Sequence, residues 1–292
     1  MKLATIRLND KEIASVLLGS ELVPMNRLNE VSGKSWSLNL LDILQKNQLD
    51  EIKDWLKYQD EEMLEDMKKA SINIKKANYG PLYRHPKRIW GIGLNYVEHA
   101  SDLSEKAPTT EPASFMKGET TIIGHGDEIK IPKQSLRTTG EGELGVIIKK
   151  KCKDVEKGDW LDVVAGFTTI IDMTAEDILK KNPRYLTLSK NFDTFFSFGP
   201  LLITPDEIAD VNSLSVATMI NGKVHAKNKV SNMTFPPDFL VSFHTSVMTM
   251  LPGDIISTGT PRATPLAHGD VVGCNIDGFI PLENPVIDLK KT

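Results

Sequence analysis

Arg137-Thr138-Thr139-Gly140-Glu141-Gly142-Glu143-Leu144-Gly145-Val146-Ile147-Ile148 runs from polar, glycine-rich residues straight into an apolar, β-branched stretch, with two carboxylates at the entry. A short run of this kind reads as a buried strand. Residues i and i+2 of a strand point the same way, so Glu141 and Glu143 share a face. The texture recurs on both sides of this segment. Ile89–Leu94, Thr120–Ile123, Leu144–Ile148, Val163–Ile171, Leu201–Thr204, Val216–Ile220, Ile255–Ser257 and Val271–Ile276 are short apolar runs set between Gly, Pro, Asn and Asp. Helical stretches interrupt them at about Thr174–Lys181 and Phe235–Leu251, the second with Phe239, Leu240, Phe243, Val247 and Leu251 on one side. Strands in such number with few helices argue for an α+β fold rather than a doubly wound parallel sheet.

Towards the N-terminus the pattern changes. Residues 2–25 alternate apolar and polar positions around Asn9-Asp10 and Gly19-Ser20, as half-buried antiparallel strands do. Two amphipathic helices follow, the first through Leu38, Leu41, Ile43 and Leu44, the second through Ile52, Trp55, Leu56, Met63 and Met67. Between Ser71 and His85 the periodicity fails, and Gly80-Pro81 and His85-Pro86 punctuate the chain. A small N-terminal accessory α+β domain over 1–80 and a long β-dominated domain over 85–292 are therefore expected.

With 292 residues and 40% hydrophobic content the chain is long enough for a sizeable core. The net charge is −4, and lysines and arginines are scattered among acids rather than gathered into a stripe, which argues against nucleic acid as a partner. Met1–Glu12 lacks the apolar core of a signal peptide, and no run is long enough to span a bilayer, so a cytoplasmic protein with no membrane partner is expected. Cys152 and Cys274 stand apart from each other and from any Cys/His cluster, so neither a disulfide framework nor a zinc site is indicated.

The Glu141/Glu143 pair enters an apolar strand, where two like charges repel unless solvent, protonation or a cation intervenes. A further carboxylate, Asp172, ends the apolar run Val163–Ile171. Three carboxylates suit Mg²⁺ or Mn²⁺ better than zinc, which prefers His and Cys. Spacing alone equally allows Glu141 and Glu143 to line a solvated edge and Asp172 to cap the helix beginning near Thr174.

Gly91-Ile92-Gly93-Leu94-Asn95-Tyr96-Val97-Glu98-His99, Ser114-Phe115-Met116-Lys117, Glu141-Gly142-Glu143-Leu144, Ile171-Asp172-Met173-Thr174-Ala175, Lys190-Asn191-Phe192-Asp193-Thr194-Phe195, Pro252-Gly253-Asp254 and Thr258-Gly259-Thr260-Pro261 resemble, in this order, the motifs of the fumarylacetoacetate hydrolase family. The resemblance covers about residues 85–288. It implies a mixed β-sheet roll or sandwich of that family's type behind the small N-terminal domain, and a homodimer. It makes Glu141, Glu143 and Asp172 the ligands of Mg²⁺ or Mn²⁺, Lys190 a catalytic and substrate-contacting residue, and Thr260 a donor to the substrate carboxylate. It also places His99 and Asp102 on a lid as a catalytic pair, an imidazole oriented by a carboxylate at i, i+3 spacing. In the family that acid is commonly Glu; Asp102 is one methylene shorter, and Glu105 is a nearby substitute. His85, His125, His225, His244 and His268 are read as structural or exposed. In place of the Arg that many relatives carry after Asp-Met-Thr-Ala, this chain has Glu176; Arg137, Arg184 and Lys117 are the candidates to compensate.

The activity implied is hydrolysis of a C–C bond in a small 2,4-dioxo acid, of acylpyruvate or fumarylacetoacetate type, through an enolate held on the metal. Oxaloacetate decarboxylation and 2-hydroxymuconate-type isomerisation or decarboxylation use the same enolate and are the alternatives. A protein that kept the metal site but lost the chemistry is the reading from outside the enzymes, and turnover of 2-oxo acids with added Mg²⁺ separates it from the rest.

Overall fold

The computed structural model describes residues 1–97 and 108–291. Two sheets organise the chain. The larger has twelve strands among the described residues. Its main path runs β4 (Ile72–Asn73), β3 (Glu21–Pro24), β2 (Lys11–Leu18), β1 (Lys2–Leu8), β11 (Phe196–Ile203), β10 (Val164–Ala175), β9 (Thr138–Ile148), β14 (Ile255–Ser257), β5 (Ile89–Gly93), β6 (Ala113–Met116). Off that path β7 (Ile122–Ile123) pairs with β11 and β15 (Thr264–Pro265) with β9. The smaller sheet is ordered β13 (Lys223–Lys229), β12 (Ser215–Ile220), β16 (Val271–Ile276), β17 (Leu282–Asp288), β8 (Ile129–Ile131). Antiparallel ladders dominate, and β5–β14, β7–β11 and β8–β17 are parallel, so the architecture is the mixed α+β one expected.

Strands β9 and β10 lie at the centre, and every residue in both is buried. This explains their composition: a strand covered on both faces carries a near-continuous apolar run instead of an alternation. One face of β9 presents Leu144, Val146 and Ile148 to a core shared with Val216, Val272 and Cys274 of the smaller sheet. Glycine is needed where the sheets meet most closely. A Cβ at Gly142 would lie 3.0 Å from Thr218 Oγ1, 3.2 Å from the Ala217 carbonyl oxygen and 3.3 Å from Cys274 Sγ.

The opposite face carries Glu141, Glu143 and Ile147 on β9. Beyond the acids that face is covered by the N-terminal region: Ile147, Ile170, Phe196 and Phe198 pack in one core with Met25, Leu28, Leu40, Ile43 and Ile52. Those last residues belong to α1 (Met25–Ser32), α2 (Leu40–Gln45) and α3 (Gln48–Lys57); α4 (Glu61–Lys68) adds Met67. Asn39 caps α2 by accepting from the Leu41 and Asp42 N–H groups, and Asp60 caps α4 by accepting from Met63, so local chemistry sets where both helices start. Helix α1 was not anticipated from periodicity; it follows β3 directly and ends at Gly33, whose φ of 66° is the left-handed stop glycine tolerates. The N-terminal strands do not form a separate sheet. Leu3 and Ala4 of β1 pair with Leu202 and Leu201 of β11.

The remaining helices serve the site or the rim. Helices α5 (Glu176–Lys181) and α6 (Leu186–Lys190) connect β10 to β11, and α7 (Pro237–Val247) follows β13. Among the described residues no helix is long and apolar enough to cross a membrane.

Candidate active site

Glu141 of β9 and Asp172 of β10 are direct cross-strand partners, and Glu143 pairs with Ile170 one rung further on. Directly opposed residues of an antiparallel pair share a face, so the register brings all three carboxylates together. One ligand oxygen from each lies within 4.8 Å of the others, and the residues are only 6%, 1% and 1% exposed. Asp172 is therefore mid-strand rather than a helix cap; β10 continues to Ala175, which is the residue that caps α5.

Two buried lysines face these acids. Lys190, the last residue of α6, donates from Nζ to Glu141 Oε2 at 2.9 Å and to Asp172 Oδ2 at 2.6 Å. Lys117, just past β6, donates to Asp172 Oδ1 at 2.5 Å and to the Lys190 carbonyl oxygen at 2.5 Å, which ties the end of α6 to the acids. The ring of Phe115 lies 4.7 Å from Lys190 Nζ and offers its negative face to the ammonium. Room for that ring comes from Gly91, where a Cβ would sit 2.3 Å from it. Thr174, two residues after Asp172 and on the same face, donates to Glu141 Oε1 at 2.6 Å.

Glu143 differs from the other two acids in having no ammonium within hydrogen-bond reach among the described residues. It accepts from Ser257 Oγ at 2.5 Å and from the Gly259 N–H at 2.8 Å. Burial, reinforced by the charges of Asp172 and Glu141, pushes its carboxyl up to about 8. Burial acts on Asp172 in the same sense, but Lys117 and Lys190 overcome it and hold that carboxyl below its usual range. Burial lowers Lys117 to about 8 despite Asp172. Lys190 is pulled down by burial too, yet its three acidic neighbours raise it on balance. Three buried carboxyl groups facing one another are a donor set that suits a hard divalent cation. The residues present fit such an ion.

Thr260 is buried next to Gly259, and its hydroxyl donates to the Arg262 carbonyl oxygen at 3.1 Å. Glu176, expected to repel an anion, is itself buried and neutralised: Arg137 Nε reaches its Oε2 and Lys180 Nζ its Oε1, both at 2.6 Å. His99, Asp102 and Glu105 lie outside the described residues. Of the other histidines, His244 is fully buried between the Leu240 carbonyl and the Ser114 hydroxyl, a structural position.

The sequence reading had no role for Ser257, Thr174, Phe115 or the Gly259 N–H, and carried Lys117 only as a possible counter-charge. Thr174 is readable in principle, because period two from Asp172 puts it on the same face. Ser257, Gly259 and Phe115 arrive from strands and turns distant in sequence; Phe115 and Gly259 stand within the motif series, but nothing local assigns them these contacts.

A family model described as the C-terminal domain of fumarylacetoacetate hydrolase matches residues 88–287. An uncharacterised protein of Archaeoglobus fulgidus is 41% identical over 207 residues, which cover 70% of this chain and 81% of that protein. The mitochondrial oxaloacetate tautomerase of Xenopus laevis is 37% identical over 212 residues, covering 70% of this chain and 66% of the relative. Among solved structures, 5-carboxymethyl-2-hydroxymuconate delta-isomerase from Mycobacterium smegmatis superposes with a TM-score of 0.75 at 25% identity, over 99% of each chain.

Proposed function

Because this chain belongs to the fumarylacetoacetate hydrolase family, we propose that it is a divalent-metal-dependent enzyme of small 2-oxo acids, and that it interconverts the keto and enol forms of a 2-oxo diacid such as oxaloacetate. The observation that carries this reading is the buried rung of Glu141 and Asp172, with Glu143 beside it and Lys190 bonded across it. Glu141, Glu143 and Asp172 would hold Mg²⁺ or Mn²⁺. Such an ion supplies Lewis acidity to the 2-oxo group of the substrate.

The chain's own groups do the rest. The Lys190 ammonium, oriented by two carboxylates and the Phe115 ring, stabilises charge developing on the substrate oxygen when the C3 proton leaves. Lys117 holds the backbone of Lys190 through its carbonyl, so the ammonium is fixed in advance of binding. Thr260 offers its hydroxyl or N–H to the substrate carboxylate from the turn that also aims Gly259 at Glu143. Burial of these groups keeps water from competing with each interaction. Keto–enol exchange asks for enolate stabilisation and for a base that takes the C3 proton and returns it to the enol oxygen, the role for which the sequence offers His99, and the 37% identical relative is an oxaloacetate tautomerase.

Hydrolytic C–C cleavage of a 2,4-dioxo acid is the second reading, favoured by the His99-x-x-Asp102 pair of the sequence, which would activate the attacking water. Two assays on one sample decide between them. The first follows loss of the enol absorbance of oxaloacetate, and the second follows pyruvate release from an acylpyruvate, each with Mg²⁺ or Mn²⁺ and again with EDTA. Metal-dependent acceleration of the first alone is the expected result. Acceleration of the second alone establishes the hydrolase, and no acceleration of either overturns the functional reading.

A further inference from the structure

The face that carries the carboxylates continues beyond them as a ladder of paired residues. Glu141 opposes Asp172, and two residues back Thr139 opposes Thr174. The pairing closes at Thr138 and Ala175, after which the Glu176 N–H still donates to the Arg137 carbonyl oxygen at 2.9 Å. Arg137 and Glu176 are thus the next rung on that face. Glu176 is 5% exposed and both its oxygens are taken, one by Lys180 and one by Arg137.

Only Nε of the Arg137 side chain is used in that pair. Its two terminal nitrogens have no protein partner among the described residues, and the side chain is 48% exposed. A guanidinium gripped at Nε by a buried acid, with its outer edge free, is a pre-oriented fork for a carboxylate. Lys180 balances much of the charge Glu176 would otherwise set against an incoming anion. Along β9 the Arg137 rung is about 13 Å from the Glu141 rung, so an extended arginine and a short diacid together span it.

We infer that Arg137 is the residue that receives the second carboxylate of the substrate, so the enzyme selects two-ended 2-oxo diacids over 2-oxo acids with a neutral tail; this rests on the functional reading above. Glu176 is the positioning residue, which holds the fork without touching the ligand.

The test is a binding measurement that needs no turnover. Calorimetric titration in Mg²⁺ with 2-oxobutanoate, 2-oxoglutarate and 2-oxoadipate compares a neutral tail with two anionic tails. The wild-type protein is expected to bind the diacids more tightly. Arg137→Met is expected to weaken diacid binding about ten- to a hundredfold, the usual value of a charge-assisted fork, and 2-oxobutanoate by about twofold or less. Arg137→Lys, which keeps the charge without the fork, is expected to fall between. Equal loss for all three ligands in both variants would show that Arg137 only maintains the fold. Unchanged diacid binding in Arg137→Met overturns the assignment, as does a wild-type protein that binds all three alike. A wild-type protein that binds none of them in Mg²⁺ instead overturns the functional reading beneath it.

Discussion

Single side chains settle the electrostatics of this site, and Glu143 is the informative one. It sits 1% exposed and, among the described residues, bonds to no cation, whereas Asp172 bonds to two. In the metal-free protein its carboxyl titrates near 8 against an ordinary value of 4.5, so the folded state holds a proton that the unfolded chain has released. The sign follows from linkage: this group's contribution to stability is complete below about pH 4.5 and is lost as the pH rises through about 8. Glu143→Gln removes that loss. In EDTA, its melting temperature is expected to gain on the wild type steadily from pH 5 to pH 8, and scanning calorimetry at several pH values reads the difference. A gap that stays constant across the range would mean that Glu143 is ionised throughout. Metal reverses the comparison. At about 100 times its dissociation constant a ligand stabilises a protein by about 2.7 kcal/mol, which for a chain of this size is a rise of about 4–5 °C. Mg²⁺ or Mn²⁺ is expected to produce that rise in the wild type and little of it in Glu143→Gln. An equal shift in both proteins would place the ion elsewhere.

Among the elements, the turn after β14 is the least replaceable. Gly259 has a φ of 96°, and a Cβ there would lie 2.8 Å from Asn95 Cβ and 3.0 Å from the Ile92 carbonyl oxygen. The same residue donates its N–H to Glu143, and Asn95 in turn donates to the Thr258 carbonyl oxygen at 2.7 Å. A backbone conformation that favours glycine, close approach and the aiming of a carboxylate therefore meet in one turn. Gly259→Ala is expected to cost about 1–3 kcal/mol of stability from conformation alone, and metal affinity should fall with it because the N–H no longer points at Glu143. Chemical denaturation and metal titration check the two parts separately. Full metal affinity in a destabilised Gly259→Ala would show that the hydrogen bond does not position the carboxylate. The strand pair β9–β10 makes the complementary point. Its register, set by burial on both faces, is what turns three acids spread over Glu141–Asp172 into one cluster; a slip of β10 by one residue would turn Asp172 to the face opposite Glu141 and Glu143.

For the whole molecule, the N-terminal 80 residues are structurally continuous with the rest. They supply β1 to the side of β11 away from β10 and cover Ile147, Ile170, Phe196 and Phe198. A chain beginning at residue 85 would expose that apolar face together with an unpaired strand edge, and is expected to aggregate or melt far below the full chain; size-exclusion chromatography and thermal unfolding check this. A monodisperse, cooperatively folding product would show that the face is dispensable. Much of this was legible in residue order. Branched runs between glycines announced the strands from Ile89 onward, because burial on both faces demands such composition. Period two placed Glu141 and Glu143 together, and the motif series named Asp172 and Lys190 as their companions. Helix α1 was missed because it is short and follows a strand without a polar break. The Asp172 environment stayed open in the sequence, since a strand interior and a helix cap both accept an acid before Thr174. Tertiary structure alone could decide that Asp172 faces Glu141, that Ser257 and Gly259 converge on Glu143, and that Glu176 is answered by Arg137 and Lys180. Each of these joins segments far apart in the chain, and only the register and packing of strands, not local propensity, determine which segments meet.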